Sequence, residues 1–289
     1  MNFQIETTSF CNLTCPECPN RIMERKRQFM TDEVWDTILN KYVVPYKHVN
    51  SYLNNPTLIP HKDGEPLLNK NLSSLLSRAA KLVPDMGISI YSHGLLLKRS
   101  FIEFLGSLPN PTRLLVSFHF FNYDGTENDY TSTTEVLKDC VHNYKPDNLE
   151  VIFVSHLVPP MTSDRLNKWK DSWDKEVSTG KLTVHANVAI NPWTGLIENA
   201  TVHHGGCPYN DFHSMFFGAT GNVIACCMDL EEEIVFGNVM KDDPEKMVGT
   251  VRAFYAAQKR REVNHKVCYD CFGIPKQQVD LIQLSGVKA

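Results

Sequence analysis

Thr8–Arg21 reads TSFCNLTCPECPNR and places three cysteines, Cys11, Cys15 and Cys18, within eight residues. Their spacing is C-x3-C-x2-C. Closed zinc sites and cubane clusters want four ligands, so one is missing here. The run follows a strand-like segment, Phe3–Thr8 (FQIETT), which sets it at that strand's C-terminal end. In parallel α/β architectures that edge carries the chemistry. Thiolates select soft metals and iron–sulfur clusters. Three thiolates on a four-iron cluster leave one iron open to something else.

Outward from this run, strand-like and helix-like segments alternate. Further strand-like runs are Thr57–His61, Gly87–Ser92, Arg113–His119, Leu149–Val158 and Leu182–Ile190, each short, apolar and rich in β-branched or aromatic residues. Thr31–Tyr42 reads as a helix with an N-cap Thr31 and acids in its first turn. Helix-like stretches follow over 69–83, 98–108, 132–144 and 163–177, the last opening on Ser163-Asp164 as a capping signal. Six such units predict a parallel sheet with crossover helices. They are too few for a closed eight-fold barrel, so an open, partial βα barrel is expected.

The pattern changes after about Pro192. Ser214–Cys227 (SMFFGATGNVIACC) reads as two short strands around a Gly218–Gly221 turn, and Glu232–Val239 as another strand. Asp243–Val263 reads as a helix with Pro244 in its first turn and Met247, Val251, Phe254 and Tyr255 on one face. The expected organisation is a barrel core over 1–192 and a small α+β cluster-binding extension over 193–289.

Composition sets the wider bounds. The 289 residues are 42% hydrophobic and 21% charged, ordinary for a globular protein. A net charge of −4 gives no support to a broad basic surface for nucleic acid, although a small local patch stays open. No run of about 18 apolar residues suggests a membrane span, and MNFQIETTSF shows no secretory signal. The expected compartment is the reducing cytoplasm, where nine cysteines read as metal ligands or catalytic thiols rather than disulfides.

Cys140 shares a helical face with Val136, Leu137 and Val141 and reads as a core thiol. The remaining five, Cys207, Cys226, Cys227, Cys268 and Cys271, give two separated positions and a terminal C-x2-C. That is a sound four-thiolate set for an iron–sulfur cluster, and zinc would accept the same ligands.

CNLTCPEC (Cys11–Cys18) resembles the cluster motif of the radical S-adenosylmethionine (SAM) superfamily. The resemblance implies that SAM chelates the open iron through its amino and carboxylate groups. An electron from the [4Fe–4S] cluster then cleaves the sulfonium to a 5′-deoxyadenosyl radical. Just before the third cysteine the family has an aromatic residue; here Glu17 stands there, on the expected SAM side of the pocket. HKDGEPLL (His61–Leu68) resembles the GGEP motif that holds the SAM amino group: Gly64, Glu65 and Pro66 match, and Asp63 replaces the first glycine. Ser92 and Gly94 in YSHGLLL resemble the turn after the third strand, and Ser117 a fourth-strand serine that contacts SAM. The likeness covers roughly residues 3–190.

The C-terminal run resembles the SPASM/twitch extension of the same superfamily, which binds auxiliary [4Fe–4S] clusters. A full SPASM domain with two such clusters uses more than the five cysteines present. The shorter twitch arrangement, with one cluster on Cys207, Cys226, Cys268 and Cys271, fits better. Cys227 then has three readings: a buried neighbour, the ligand in place of Cys226, or a hydrogen-atom donor as in radical SAM epimerases.

The expected activity is oxidation of a sugar or aminocyclitol alcohol. The alternatives are epimerisation of a sugar or peptide residue through Cys227, or another peptide modification. Rivals of other classes are a non-catalytic iron–sulfur electron-transfer protein and a zinc-binding interaction protein. A small-molecule or peptide substrate and a flavodoxin- or ferredoxin-like reductant are the expected partners. Four histidines, His61, His93, His119 and His156, fall near strand ends and can shuttle protons; His119 is the best single catalytic candidate. Asn122, Tyr123 and Asp124 form a loop that could cap the opening. HHGGC (His203–Cys207) and NDFHS (Asn210–Ser214) flank the second cysteine set without a readable role.

Overall fold

A computed structural model describes residues 1–49, 56–144, 146–156, 160–177, 182–187, 207, 209, 211–260, 262–263 and 265–272. Six parallel strands form as the alternation predicts: β1 (Asn2–Ile5), β2 (Thr57–Ile59), β3 (Gly87–Ser92), β4 (Thr112–Phe118), β5 (Leu149–His156) and β6 (Leu182–Asn187). Between them run α1 (Asp32–Ile38) and α2 (Val44–Tyr46), then α3 (Leu72–Leu82), α4 (Arg99–Ser107), α5 (Thr131–Asn143), and α6 (Ser163–Asp171) with α7 (Asp174–Val177). The sixth crossover falls in 188–206, outside the described residues.

The C-terminal strands do not build a sheet of their own. β7 (Ser214–Phe217) pairs in parallel with β1, from Asn2 opposite Ser214 to Ile5 opposite Phe217. β8 (Asn222–Ile224) and β9 (Val235–Asn238) extend the sheet antiparallel. The open nine-stranded order is β6-β5-β4-β3-β2-β1-β7-β8-β9. β1 therefore lies inside the sheet, with Phe3 and Ile5 fully buried among Trp35, Leu58, Phe216 and Phe217. A second core of Ile90, Leu114, Phe118, Phe153 and Trp173 backs β3, β4 and β5. Cys140 is buried in it.

Local chemistry explains where elements stop. β2 ends at Ile59 rather than His61, because Pro60 has no N–H for a ladder. Leu39–Val43 widens into a π turn just ahead of Pro45, so the helix expected to reach Tyr42 is α-helical only to Ile38. Thr31 caps α1, its Oγ1 accepting from Val34 N at 3.3 Å. The cap of α6 is Thr162, one residue before the expected signal, accepting from Arg165 N. β9 is shorter than its apolar run, since Glu232 adopts a positive φ of 56° in the preceding turn. α8 (Pro244–Lys259) starts on the Asp243 cap and buries Met247, Val251 and Tyr255; Phe254 packs on Phe236. α9 (Lys266–Phe272) follows. Among the described residues no helix is long and apolar enough to cross a membrane.

Candidate active site

The loops after β1, β2, β3 and β4 meet over the C-terminal ends of the strands and enclose a cavity of about 240 Å³. Cys11, Cys15 and Cys18 line it from the first loop. Opposite stand Gly64 and Glu65 from the second, Ser92 from the third, and Ser117 from the fourth. The first two loops are locked together by backbone. A Cβ on Gly64 would sit 2.3 Å from the Thr8 carbonyl oxygen and 2.6 Å from that of Phe10, so only glycine fits. Glu65 N donates to Phe10 O at 2.8 Å. The Asn20 amide donates to Ser9 O (3.0 Å) and Asp63 O (2.7 Å), tying the far end of the cysteine loop to the same place.

Glu65 is buried and held on both carboxylate oxygens. Oε1 accepts from Ser92 Oγ (2.8 Å) and Leu67 N (2.9 Å), and Oε2 from His93 N (2.9 Å). Ser92 Oγ in turn accepts from Gly94 N at 2.9 Å. Gly94 has φ +82°, and a Cβ there would also strike Val116. Ser92 and Gly94 thus aim Glu65. Pro66 opens the short helical turn that follows.

Asp63, where the likeness expects glycine, is the centre of a buried charge network. Its Oδ2 meets Arg25 Nη2 at 2.8 Å and the Lys62 ammonium. Arg25 also forks onto Glu6 (2.6 and 3.0 Å) and reaches Glu232 (3.4 Å). Lys62 Nζ donates to Asp229 O at 2.8 Å. The network joins the cysteine loop, the β2 loop and the C-terminal segment. Burial pushes the Asp63 carboxyl up to about 6, against the pull of Lys62. Asp63 Oδ1 is buried without a hydrogen-bond partner among the described residues, on the cavity wall.

The histidines divide by environment. His119 Nδ1 lies 2.5 Å from Glu17 Oε1, and both residues line the cavity. His93 is fully engaged: Nδ1 accepts from Leu95 N (3.1 Å), leaving Nε2 to donate to Asn12 Oδ1 (2.9 Å). Burial, helped by His119, keeps His93 neutral down to about 3. His61 lines the cavity stacked on Tyr91, ring centroids 6.0 Å apart. Burial lowers its pKa, partly opposed by Glu65, Glu6 and a hydrogen bond to the Gly64 backbone. His156 ends β5, and its side chain lies outside the described residues, as do His203, His204 and Asn210. The loop after β4 clips onto the cysteine loop, with Tyr123 N donating to Thr14 O (2.6 Å) and Asn122 Oδ1 accepting from Thr14 N (3.1 Å).

The cysteines of the second set lie within electrostatic range of one another. The thiol of Cys268 is raised to about 12 by burial, then by Cys207 and Cys271. That of Cys271 is raised to about 11 by burial, then by Cys207 and Cys227. Cys226 is raised by burial and by Cys227, with Cys268 also in range. Cys227 Sγ lies 3.2 Å from the Tyr209 hydroxyl. Cys227 also reaches the first cavity's wall electrostatically: Lys62 acts on its thiol, and it acts on Tyr91.

The residues fit the groups the resemblance implies. Among the described residues no three His, Cys, Asp or Glu side chains close on a single metal ion, so the fit rests on donor chemistry. Burial raises Cys11 to about 12 and Cys18 further, each opposed only by backbone hydrogen bonds, with neighbouring thiols and carboxylates adding to the rise. A buried pocket of crowded thiols suits a cationic iron centre that deprotonates them. The unpartnered Asp63 Oδ1 beside Glu65 offers acceptors to an ammonium group.

Reading by motif did not find Arg25, Glu6 or Lys62. Arg25 sits in MERKRQF, a run that looks like solvated charge, and only the fold brings its partners to it.

Residues 5–170 match the family model of the radical SAM superfamily, and residues 207–272 that of an iron–sulfur cluster-binding domain, SPASM. No curated protein sequence matches. Among solved structures, BtrN in complex with AdoMet and 2-DOIA is similar at TM-score 0.64 and 17% identity, over 94% of this chain and 93% of that one. Native anSMEcpe with bound AdoMet is similar at TM-score 0.55 and 17% identity, over 94% of this chain and 88% of that one. The same protein with bound AdoMet and the Cp18Cys peptide gives TM-score 0.53 and 15% identity, over 94% and 87%. At these identities the likeness is one of fold.

Proposed function

Because this chain belongs to the radical SAM superfamily, an enzyme that takes SAM and a [4Fe–4S] cluster, we propose that it oxidises an alcohol of a sugar or aminocyclitol to the ketone. In this reading Cys11, Cys15 and Cys18 hold the SAM-binding cluster. Glu65 and Asp63 receive the SAM ammonium, Gly64 and Pro66 shape that wall, and Ser92 and Gly94 fix Glu65. Glu17 and Ser117 line the remaining sides. Bound there and given one electron, SAM supplies the 5′-deoxyadenosyl radical that removes a hydrogen atom from the substrate carbon.

To become a ketone, that carbon must also lose its hydroxyl proton and one electron. His61, which lines the cavity and whose pKa burial lowers, is neutral and so able to take the proton. Cys207, Cys226, Cys268 and Cys271 would hold a second cluster, which would supply an acceptor for that electron. The observation that carries this reading is the contact between the two sites. Lys62 lines the cavity, donates to the Asp229 carbonyl, and acts electrostatically on Cys227. BtrN, alike in fold, was solved in complex with AdoMet and 2-DOIA, which supports a small-molecule substrate. A flavodoxin- or ferredoxin-like protein would deliver the first electron.

Cys227 favours one second reading, epimerisation: its thiol lies 3.2 Å from the Tyr209 hydroxyl and within electrostatic range of Tyr91 on the cavity wall. A peptide substrate remains the alternative to a sugar in either case. The two outcomes separate by product mass in heavy water. Oxidation gives a product lighter by two hydrogens without solvent deuterium, and Cys227→Ala retains it. A product of unchanged oxidation state carrying one deuterium, lost in Cys227→Ala, would establish epimerisation instead.

A further inference from the structure

We propose that the turn Asp229–Glu232 is a positioning element of the SAM pocket: it seats Arg25 and Lys62, and these two cations fix the Asp63 carboxylate with one oxygen left for the ligand. The inference rests on the reading that Asp63 receives the SAM ammonium. Asp63 Oδ2 is taken up twice, by Arg25 Nη2 at 2.8 Å and by the Lys62 ammonium. Oδ1 is buried and has no partner among the described residues, and Asp63 lines the cavity. Both cations are themselves held by consecutive residues of one turn. Lys62 Nζ donates to Asp229 O at 2.8 Å. Arg25 Nε donates to Leu230 O at 2.5 Å, and its Nη1 lies 3.4 Å from Glu232 Oε1. Glu231 grips the backbone beside Arg25: Oε1 accepts from Glu24 N (2.9 Å) and Oε2 from Arg25 N (2.7 Å).

The turn is built to keep its shape. Asp229 Oδ1 accepts from Glu233 N and Oδ2 from Ile234 N, each at 2.8 Å. Glu232 takes a positive φ of 56°, and its Oε2 accepts from Asn222 Nδ2 at 2.8 Å. It opens two residues after Cys227 and joins β8 to β9. Its partners follow from what replaces glycine at position 63. A glycine has no side chain to aim, whereas a carboxylate beside a single lysine can turn and offer it either oxygen. A second cation on the same oxygen opposes that rotation and leaves Oδ1 free. A carboxylate already set in place binds an ammonium more tightly than one that must be ordered first. Glu231 touches neither Asp63 nor the cavity lining, so it acts through Arg25 alone.

The test is a double-mutant cycle on SAM affinity. Labelled SAM is equilibrated by dialysis with the full-length, anaerobically iron-loaded chain, without reductant so that none is cleaved. Asp63→Asn and Glu231→Ala are each expected to weaken binding about tenfold. The double variant is expected to bind within about twofold of Asp63→Asn, because Glu231 acts only by way of Asp63. A merely structural turn would give losses that add, and that result overturns the inference. So does wild-type affinity in Glu231→Ala when Asp63→Asn binds weakly. Wild-type affinity in Asp63→Asn would instead refute the ammonium reading beneath it. If Glu231→Ala does not load iron, Glu231→Gln, which keeps one acceptor, replaces it in the cycle. If Asp63→Asn does not, Asp63→Gly replaces it, and the same outcomes decide.

Discussion

His61 owes its proposed role to where it sits. Burial and the neighbouring Lys62 lower its pKa from 6.5, while Glu65, Glu6 and the Gly64 carbonyl act the other way. The ring is therefore neutral at neutral pH and able to accept a proton. A base works only in its neutral form, so activity should fall as pH drops through this lowered value and be flat above it. The acid limb of product formation is thus expected below pH 6.5. His61→Asn should lower ketone formation about 10²-fold or more while 5′-deoxyadenosine still forms. Product analysis across pH checks both, and an acid limb above neutrality would exclude His61 as the base. The three-cysteine run, Gly64 and Glu65 were legible in the sequence because their spacing is itself the chemistry. Glu17 and Asp63 were legible only as departures. What each does depends on His119 and Arg25, 102 and 38 residues away along the chain, and no local pattern carries that.

At the scale of elements, the loops after β1 and β2 act as one unit. Backbone contact at Gly64 and the Asn20 bridge set their spacing, and the Arg25 fork fixes both to the turn before β9. Arg25 is 12% exposed, while Glu6 and Asp63 are essentially fully buried. Removing one partner of a buried ionic group leaves charge uncompensated and costs about 3–5 kcal/mol. Arg25→Met should lower stability by that amount in urea unfolding of the anaerobic protein. A change under about 0.5 kcal/mol, typical of surface sites, would show that Lys62 alone balances the acids. Strand and helix order could be read from periodicity and caps. The ends could not, because Pro60, Pro45 and the positive-φ Glu232 stop elements inside apolar runs that continue past them.

At the scale of the molecule, the surprise relative to the sequence lies in the sheet. Two successive patterns suggest a core and a separate extension, yet β7 adds in parallel to β1. The strand that presents Cys11, Cys15 and Cys18 is thereby flanked by the segment that leads to Cys226. Pairing between residues as distant along the chain as Asn2 and Ser214 leaves no trace in local periodicity. Its consequence is positional: the segment that follows β8 meets the loop after β2, where Lys62 Nζ donates to the Asp229 carbonyl. The central claim is that the first set holds a cluster that cleaves SAM. Its most direct test is anaerobic incubation of iron-loaded protein with SAM and a strong one-electron reductant, quantifying 5′-deoxyadenosine and methionine. The expected result is equal amounts of both from the wild type and neither from Cys18→Ala. No 5′-deoxyadenosine from fully loaded wild type, or undiminished formation by Cys18→Ala, would contradict it.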